Sequence, residues 1–270
     1  MIKRLSSFSF QNDFIMTVQT IAPLNNPVIL SDLHLRQDRP KTLMGFIRFL
    51  EHQALQYEEL VILGDLFDEW LGEESSDDGI VDTVISHLRV FVTSGRRVLI
   101  MPGDRDFMID REFAKACNAE FIPDNTVLTI KDVPVLVAHG DRWCTQEQSH
   151  QHFRQIVARP AWRDAFHRET DLSLRRELIK EAKERAINLA QGQPISPAQN
   201  MRIVEHAVES DALDANVQCV IHGHIMRPGP HISTHYERWS LPHWDLEDPE
   251  RLRCGFITFR SPGRPQIQII

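Results

Sequence analysis

The sequence predicts an α/β fold with a buried sheet and one helical insertion, and three observations predict it. Five short apolar runs each end in a cluster of Gly, Asp and His; helix-length segments separate the first three; about seventy-five residues of another character separate the last two. Strands alternating with helices form a sheet that the helices cover, so its strands read as near-continuous apolar runs.

The elements follow in order. "PVILSDLH" (27–34), "ELVILGDLFD" (59–68) and "RRVLIMPGDRD" (96–106) are the first three strands with their polar ends, β-branched runs stopped by Gly or Asp. Between them "PKTLMGFIRFLEHQALQY" (40–57) and "GIVDTVISHLRVFVTSG" (79–95) carry apolar residues at helical spacing, with Gly95 placed as a stop signal. "VPVLVAHGD" (133–141) and "VQCVIHGH" (217–224) are the fourth and fifth strands. The stretch between them is rich in Arg, Glu, Leu and Ala, and residues 146–210 are expected to form a helical insertion. "HISTHYERWS", "CGFITF" and "QIQII" then predict a final set of antiparallel strands.

Residues 1–26 precede the first confident strand and are expected to be an extension, with residues 27–270 forming one domain. Gln11, Asn12 and Asp13 interrupt any signal-peptide core, and Met16 is an alternative natural start. Hydrophobic residues make up 42% and charged residues 25%, an ordinary globular balance. The net charge of -8 argues against a nucleic-acid surface spread over the whole chain. Cys117, Cys144, Cys219 and Cys254 lie far apart and fit neither a zinc pattern nor a disulfide framework, so they read as free thiols in a reducing cytosol. No apolar run has the eighteen or so residues that span a bilayer.

The polar ends of the five strands carry the chemistry. Asp32 and His34 follow the first, Asp65 and Asp68 the second, Asp104 and Asp106 the third, His139 and Asp141 the fourth, His222 and His224 the fifth. Ligands bind beyond the carboxyl ends of such strands, because several loops converge there. Converging carboxylates repel one another unless a cation separates them, so the simplest resolution is a bound metal. Carboxylate and imidazole donors without thiolates suit Mn²⁺, Fe²⁺ or Zn²⁺, and two such ions sharing one carboxylate suit phosphoester hydrolysis.

With these motifs the sequence resembles the calcineurin-like metallophosphoesterases, whose pattern is D-x-H, G-D-x-x-D, G-N-H/R-D, H-G-D and G-H-x-H, over residues 27 to about 255. The resemblance implies a β-sandwich flanked by helices, with the insertion as a helical cap. It makes Asp32 and His34 ligands of a first metal, Asp65 the bridge, and Asp104, His139 and His224 ligands of a second. Manganese is the first expectation for both ions, with iron or zinc as alternatives. Arg105 and Arg227 would contact the substrate phosphate, and Asp106 would serve the catalytic set by orienting its neighbours. Alternatively, Arg105 forms a surface ion pair with Asp106 or Asp110. "GDLFDEWLG", "GDRDF", "HGDRWCT" and "GHIMRP" point to the branch that cleaves the pyrophosphate of a nucleotide-linked lipid precursor. The expected partner is therefore a phosphorylated small molecule or nucleotide–lipid, with no nucleic acid, in the cytoplasm or in peripheral contact with the inner membrane.

Two positions depart from the pattern. Asp104 replaces Asn, which adds a negative charge, and Met226 replaces the last His, a soft thioether where an imidazole would stand. A firm second site and a weak first one are therefore expected. His222, His231, His150 and His152 are substitutes to consider, although His222 is expected to face away and the others to lie on helix or loop surfaces. The insertion is charged nearly throughout, which reads as a solvated helix face with i,i+4 pairs. Arg159, Arg163, Arg175 and Arg176 could instead cluster to meet a diphosphate, and Trp162, Phe166 and Leu172 could line an acyl groove or pack in the core. A phosphoesterase for a soluble phosphodiester or nucleotide, and an impaired metal-binding pseudoenzyme, stay open as alternatives.

Overall fold

Alternation along the central strands decides the layering. The computed structural model describes residues 21–72, 79–197, 200–250, 252–260 and 264–270. In β1 (Pro27–Leu30), β2 (Glu59–Leu63) and β3 (Arg97–Met101), Val28, Leu30, Leu60, Ile62, Val98 and Ile100 face one apolar cluster, while Ile29, Val61, Leu63, Leu99 and Met101 face another. Strands buried on both faces need a cover on each side. Helices α1 (Pro40–Arg48) and α2 (Ile80–Thr93) cover the first face, and a second sheet covers the other.

The first sheet has the order β11-β10-β1-β2-β3-β4, with β4 (Glu120–Phe121), β10 (Gly255–Arg260) and β11 (Arg264–Ile269). β1 to β4 run parallel, and β10 and β11 close the edge antiparallel. The second sheet has the order β5-β6-β7-β9-β8: β5 (Thr126–Ile130), β6 (Val133–Ala138), β7 (Cys219–His222), β9 (Glu237–Ser240) and β8 (Gly229–Ile232). Leu128, Ile130, Val135, Val137 and Ile221 meet the inner face of the first sheet, which makes the structure a sandwich. This is the helix-flanked sandwich that the resemblance to the calcineurin-like metallophosphoesterases implied.

Several boundaries differ from the sequence reading. The 40–57 helix is broken: α1 ends at Arg48, a π-helical turn follows at Phe49–Gln53, and a 3₁₀ turn at Ala54–Gln56. The turn seats Phe49 against Trp244 and Phe256, with ring centroids 5.6 and 5.1 Å away. The expected extension is described only from residue 21, and there Leu24 is fully buried and donates its N–H to Thr129 O at 2.8 Å. That end of the segment belongs to the sandwich; Met16 lies outside the described residues.

The helices of the expected insertion also divide. α4 (Gln148–Val157), α5 (Pro160–Arg168) and α6 (Leu172–Leu189) pack Phe153, Ile156, Phe166, Ile179, Ala182 and Ala186 into the helix-side cluster. α7 (Glu205–Asp214) instead packs Val208 and Ala212 on the outer face of the second sheet, against Leu136, Ala138 and Val220. α4 to α6 thus pack on the helix side of the first sheet, and α7 completes a four-layer body. Among the described residues no helix is long and apolar enough to cross a membrane.

Leu60, at the middle of the parallel sheet, is fully buried, whereas Val90 on α2 is 68% exposed. Leu60→Ala is expected to cost about 2–5 kcal/mol by lost burial plus the cavity left behind. Val90→Ala should stay within about 0.5 kcal/mol of the parent. Urea unfolding of the two metal-free variants measures the difference.

Candidate metal centre

Asp32, Asp65, Asp104, His139 and His224 are brought together from the ends of β1, β2, β3, β6 and β7, three strands from one sheet and two from the other. The loops that carry them are cross-laced. Leu33 and His34 donate their N–H to Asp65 O at 2.9 and 3.0 Å, Gly223 N–H to His139 O at 2.8 Å, and His224 N–H to the Asp32 carboxylate at 2.9 Å. Asp32, His34, Asp65 and His224 all have left-handed backbones, with φ of 56°, 48°, 53° and 64°. Each such residue costs on the order of 1–3 kcal/mol and persists where the surroundings fix it, typically at a working site.

Two donor groups result. Asp104 Oδ1 lies 3.0 Å from both His139 Nε2 and His224 Nδ1. His34 Nε2 lies 3.9 Å from Asp32 Oδ1 and 3.7 Å from Asp65 Oδ2, and His139 Nε2 is also 3.7 Å from Asp65 Oδ2. Asp65 therefore stands between the groups. Donor atoms of Asp104, His139 and His224, and likewise of Asp32, Asp65 and His139, lie within 4.8 Å of one another. Buried oxygen and imidazole donors at this spacing fit divalent cations of the Mn, Fe or Zn type.

The charge balance also calls for cations. Burial, and then the charge of Asp104, push the Asp65 carboxyl well above the usual range, only partly offset by His139. Burial would also raise Asp104, but His224 and His139 hold it well below. Burial lowers the His34 imidazole against the pull of Asp32, Asp68 and Asp104. A cation between Asp65 and Asp104 would remove the repulsion that burial magnifies.

Asp106 is wholly buried and holds the frame. The N–H groups of Gly103 (2.7 Å), Leu66 (2.8 Å), Asp65 (3.2 Å) and Phe67 (3.2 Å) all donate to its carboxylate. It pins the Asp65 loop to the Asp104 loop and presents no free oxygen edge to a substrate. Arg105 donates its backbone N–H to Asp65 Oδ1 at 3.0 Å, and its side chain is exposed. Among the described residues no carboxylate pairs with that guanidinium, which removes the surface ion pair with Asp106 or Asp110. Arg227 is exposed, and Met226 is 38% exposed, at the positions just beyond His224.

The candidate substitutes for Met226 lie elsewhere. His222 faces away as expected: its Nδ1 is 2.8 Å from Gly223 O, and Arg238 donates to its Nε2 at 2.9 Å. His150 corrects the sequence reading, because it is buried rather than on a surface. Its ring lies 5.8 Å from that of His224, and its Nε2 is 2.9 Å from Asp141 Oδ2. Asp141 also accepts from Arg154, which reaches Asp124 at 3.1 Å, and Asp124 Oδ1 accepts the His139 N–H at 2.9 Å. Behind the second donor group therefore lies a closed network of ion pairs and hydrogen bonds. Asp124 and Arg154 have no motif to reveal them, since their roles depend on a fold-back of some 30 residues.

The arginines of the insertion do not cluster. Arg163 donates to Phe107 O at 3.1 Å, Arg175 to Leu71 O and to Glu169 O, and Arg176 stands 3.7 Å from Glu69. They tie the cap to loops beside the site. Phe166 is buried, and Trp162 and Leu172 pack against the same cluster, so these three are core rather than an acyl groove.

Gly103 lets the two loops meet: a Cβ there would stand 2.1 Å from Asp65 Oδ1 and 2.5 Å from Asp65 N. Gly103→Ala is expected to weaken Mn²⁺ uptake by about tenfold or more, since misplaced ligands cost that much. Gly79→Ala replaces a glycine with φ +70°, but nothing lies within 4 Å of the added carbon, so its uptake should match the parent. Calorimetric titration of the two variants tests this.

No family model matches the chain, but close relatives do. A protein from Aromatoleum aromaticum named UDP-2,3-diacylglucosamine hydrolase is 33% identical over 227 residues, 82% of this chain and 90% of the relative. Proteins of the same name from Ralstonia nicotianae and Cellvibrio japonicus are 32% and 33% identical over 255 and 249 residues, covering 89% and 82% of this chain and 94% and 100% of theirs. With the metal-type donor set at the ends of five strands, this likeness over nearly the whole length places the chain in the UDP-2,3-diacylglucosamine hydrolase family of metal-dependent phosphohydrolases.

Proposed function

We propose that the chain hydrolyses the pyrophosphate of UDP-2,3-diacylglucosamine, releasing UMP and 2,3-diacylglucosamine 1-phosphate. Asp32, His34 and Asp65 hold one divalent cation, and Asp65, Asp104, His139 and His224 hold a second, manganese in preference to iron or zinc. The observation that carries this is the placement of Asp65 between two donor groups, 3.7 Å from both His34 Nε2 and His139 Nε2. A pair of divalent cations, when bound, supplies an activated nucleophile and offsets charge in in-line displacement at phosphorus.

The residues of the chain do the rest. The guanidinium of Arg105, exposed and without a carboxylate partner among the described residues, offers two parallel donors to a phosphoryl oxygen pair, and its backbone is fixed by Asp65. Arg227, exposed beyond His224, is the second candidate contact for phosphate. Asp106 acts as a positioning residue through its four backbone donors. The Asp141–Arg154–Asp124 network holds His139 and His150 against the site, with Arg154 bridging the two carboxylates. The enzyme works in the cytoplasm, with any membrane contact peripheral and made through the lipid substrate.

A soluble nucleotide or phosphodiester is the second reading, and one observation favours it. The cleft between the Asp104–Arg105 loop and the cap, lined by Asp68, Trp70, Phe107, Phe153, Ile179 and Lys183, has a volume of about 60 Å³. That is room for a small polar group and not for an acyl chain unless the cap moves.

Metal-free protein resupplied with Mn²⁺ is expected to release UMP from UDP-2,3-diacylglucosamine, and Asp65→Ala is expected to abolish that release. UMP release from a soluble UDP-sugar but not from the lipid would select the second reading; no metal-dependent hydrolysis of either would contradict both. Arg105→Ala should lower kcat by about 10²–10³-fold, the usual cost of removing one donor to developing charge. Steady-state kinetics at saturating Mn²⁺ measures it, and an unchanged kcat would remove Arg105 from the reaction.

A further inference from the structure

The first donor group is one imidazole short. Asp32, His34 and Asp65 supply three ligands, and Met226 offers only a half-exposed thioether at the place where a fourth would come. The segment Leu241–Asp245, just after β9, lies against that group. Leu241 N–H donates to His222 O at 2.7 Å, which ties the segment to the strand leading to His224. Trp244 N–H donates to Asp32 O at 2.9 Å. Arg39 closes the other side: its guanidinium donates to Leu33 O (3.2 Å), His34 O (3.3 Å) and Trp244 O (2.8 Å), and it pairs with Asp245 at 3.3 Å.

His243 sits in the middle of this lacing and is 8% exposed. Arg253 approaches one edge of its ring, 3.2 Å from Nε2. The other nitrogen, Nδ1, is buried with no hydrogen-bond partner. Burial lowers the imidazole's pKa, and of the surrounding charges Asp32 acts on it most strongly, ahead of Arg253, Asp245 and Arg39. A buried nitrogen without a partner calls for an ion or a water to satisfy it, and the strongest charge beside this one is a carboxylate already assigned to a cation.

We propose that His243, through Nδ1, is the additional imidazole ligand of the Asp32–His34–Asp65 cation, making good the position occupied by Met226. A cation on Nδ1 requires the proton on Nε2. Arg253 is exposed, so its guanidinium can turn to solvent and leave Nε2–H free. Arg39 then becomes the positioning residue that holds His243 and His34 at one distance. Other candidates are placed differently: His222 is held by Gly223 and Arg238, His150 by Asp141 beside the second group, and His231, in β8, has Arg238 and Glu205 as its neighbouring charges.

The inference rests on the two-cation reading above, and metal titration separates the two. Metal-free protein is titrated with Mn²⁺ and with Co²⁺, followed by calorimetry and by the visible absorption of bound Co²⁺. The parent should take up two ions. In His243→Ala one affinity should fall by about tenfold or more while the other holds, and the Co²⁺ spectrum of the weakened site should change. Adding Met226→His to His243→Ala should restore the lost affinity. Two ions bound by His243→Ala with parent affinities, or equal losses at both sites, would overturn the assignment. A parent that binds no ion would overturn the two-cation reading itself. Thermal unfolding of the metal-free variants controls for folding, and His243→Gln serves as the second variant, expected to weaken the same single site.

Discussion

Three carboxylates, Asp32, Asp65 and Asp104, are held almost out of water within a few ångströms of one another, and the rest of the site is arranged around that arrangement. Burial disfavours the charged form of Asp65 most, and the neighbouring charge of Asp104 adds to it, which pushes that carboxyl well above the usual range. A fold bears such a cost where a counter-charge resolves it. Imidazoles of His34, His139 and His224 stand beside the acids, and His139 only partly offsets the effect of burial and of Asp104 on Asp65. Divalent cations would resolve the rest, and the donor atoms of Asp104, His139 and His224, like those of Asp32, Asp65 and His139, lie within 4.8 Å of one another in each set.

The backbone bears part of the cost. Asp32, His34, Asp65 and His224 occupy the left-handed region, which bulky residues avoid. What fixes them is the lacing of each loop to its neighbour: Asp106 between two loops, the Asp32 carboxylate on His224 N–H, and Arg39 over the carbonyls of Leu33 and His34. These links join the two sheets at one end, so the sandwich itself sets the distance between donor groups. The cap adds a separate constraint. Its arginines Arg163 and Arg175 grip carbonyls of Phe107 and Leu71, beside Arg105 and Asp68, and so relate the cap's position to the substrate-facing loops.

Much of this was legible in the sequence for a physical reason. A strand buried on both faces leaves a continuous apolar run, and a ligand must sit where that run stops. Asp32, Asp65, Asp104, His139 and His224 were therefore visible as strand ends. The alternation of Leu60, Val61, Ile62 and Leu63 between two clusters left no trace, because every position is apolar, so residue patterning alone indicated a buried sheet and not a second sheet against it. His150 looked like a surface residue in a polar helix; only the pairing of Asp141 with Arg154 gives it a buried partner. The charged pattern of the cap was read correctly as helix but concealed that Arg163 and Arg175 are struts, since a backbone carbonyl acceptor has no signature in sequence. His243 carried no motif at all, and its surroundings come from chain segments some 200 residues away, such as Arg39 and Asp32.

The account stands on the claim that these strand ends are built for a pair of cations sharing Asp65. Anomalous X-ray scattering from crystals of the protein grown with Mn²⁺ tests it most directly. The account predicts two peaks about 3.5–4 Å apart, with an oxygen of Asp65 touching both, Asp104, His139 and His224 on one and His34 and Asp32 on the other. A single peak away from Asp65, or none among these side chains, would contradict it.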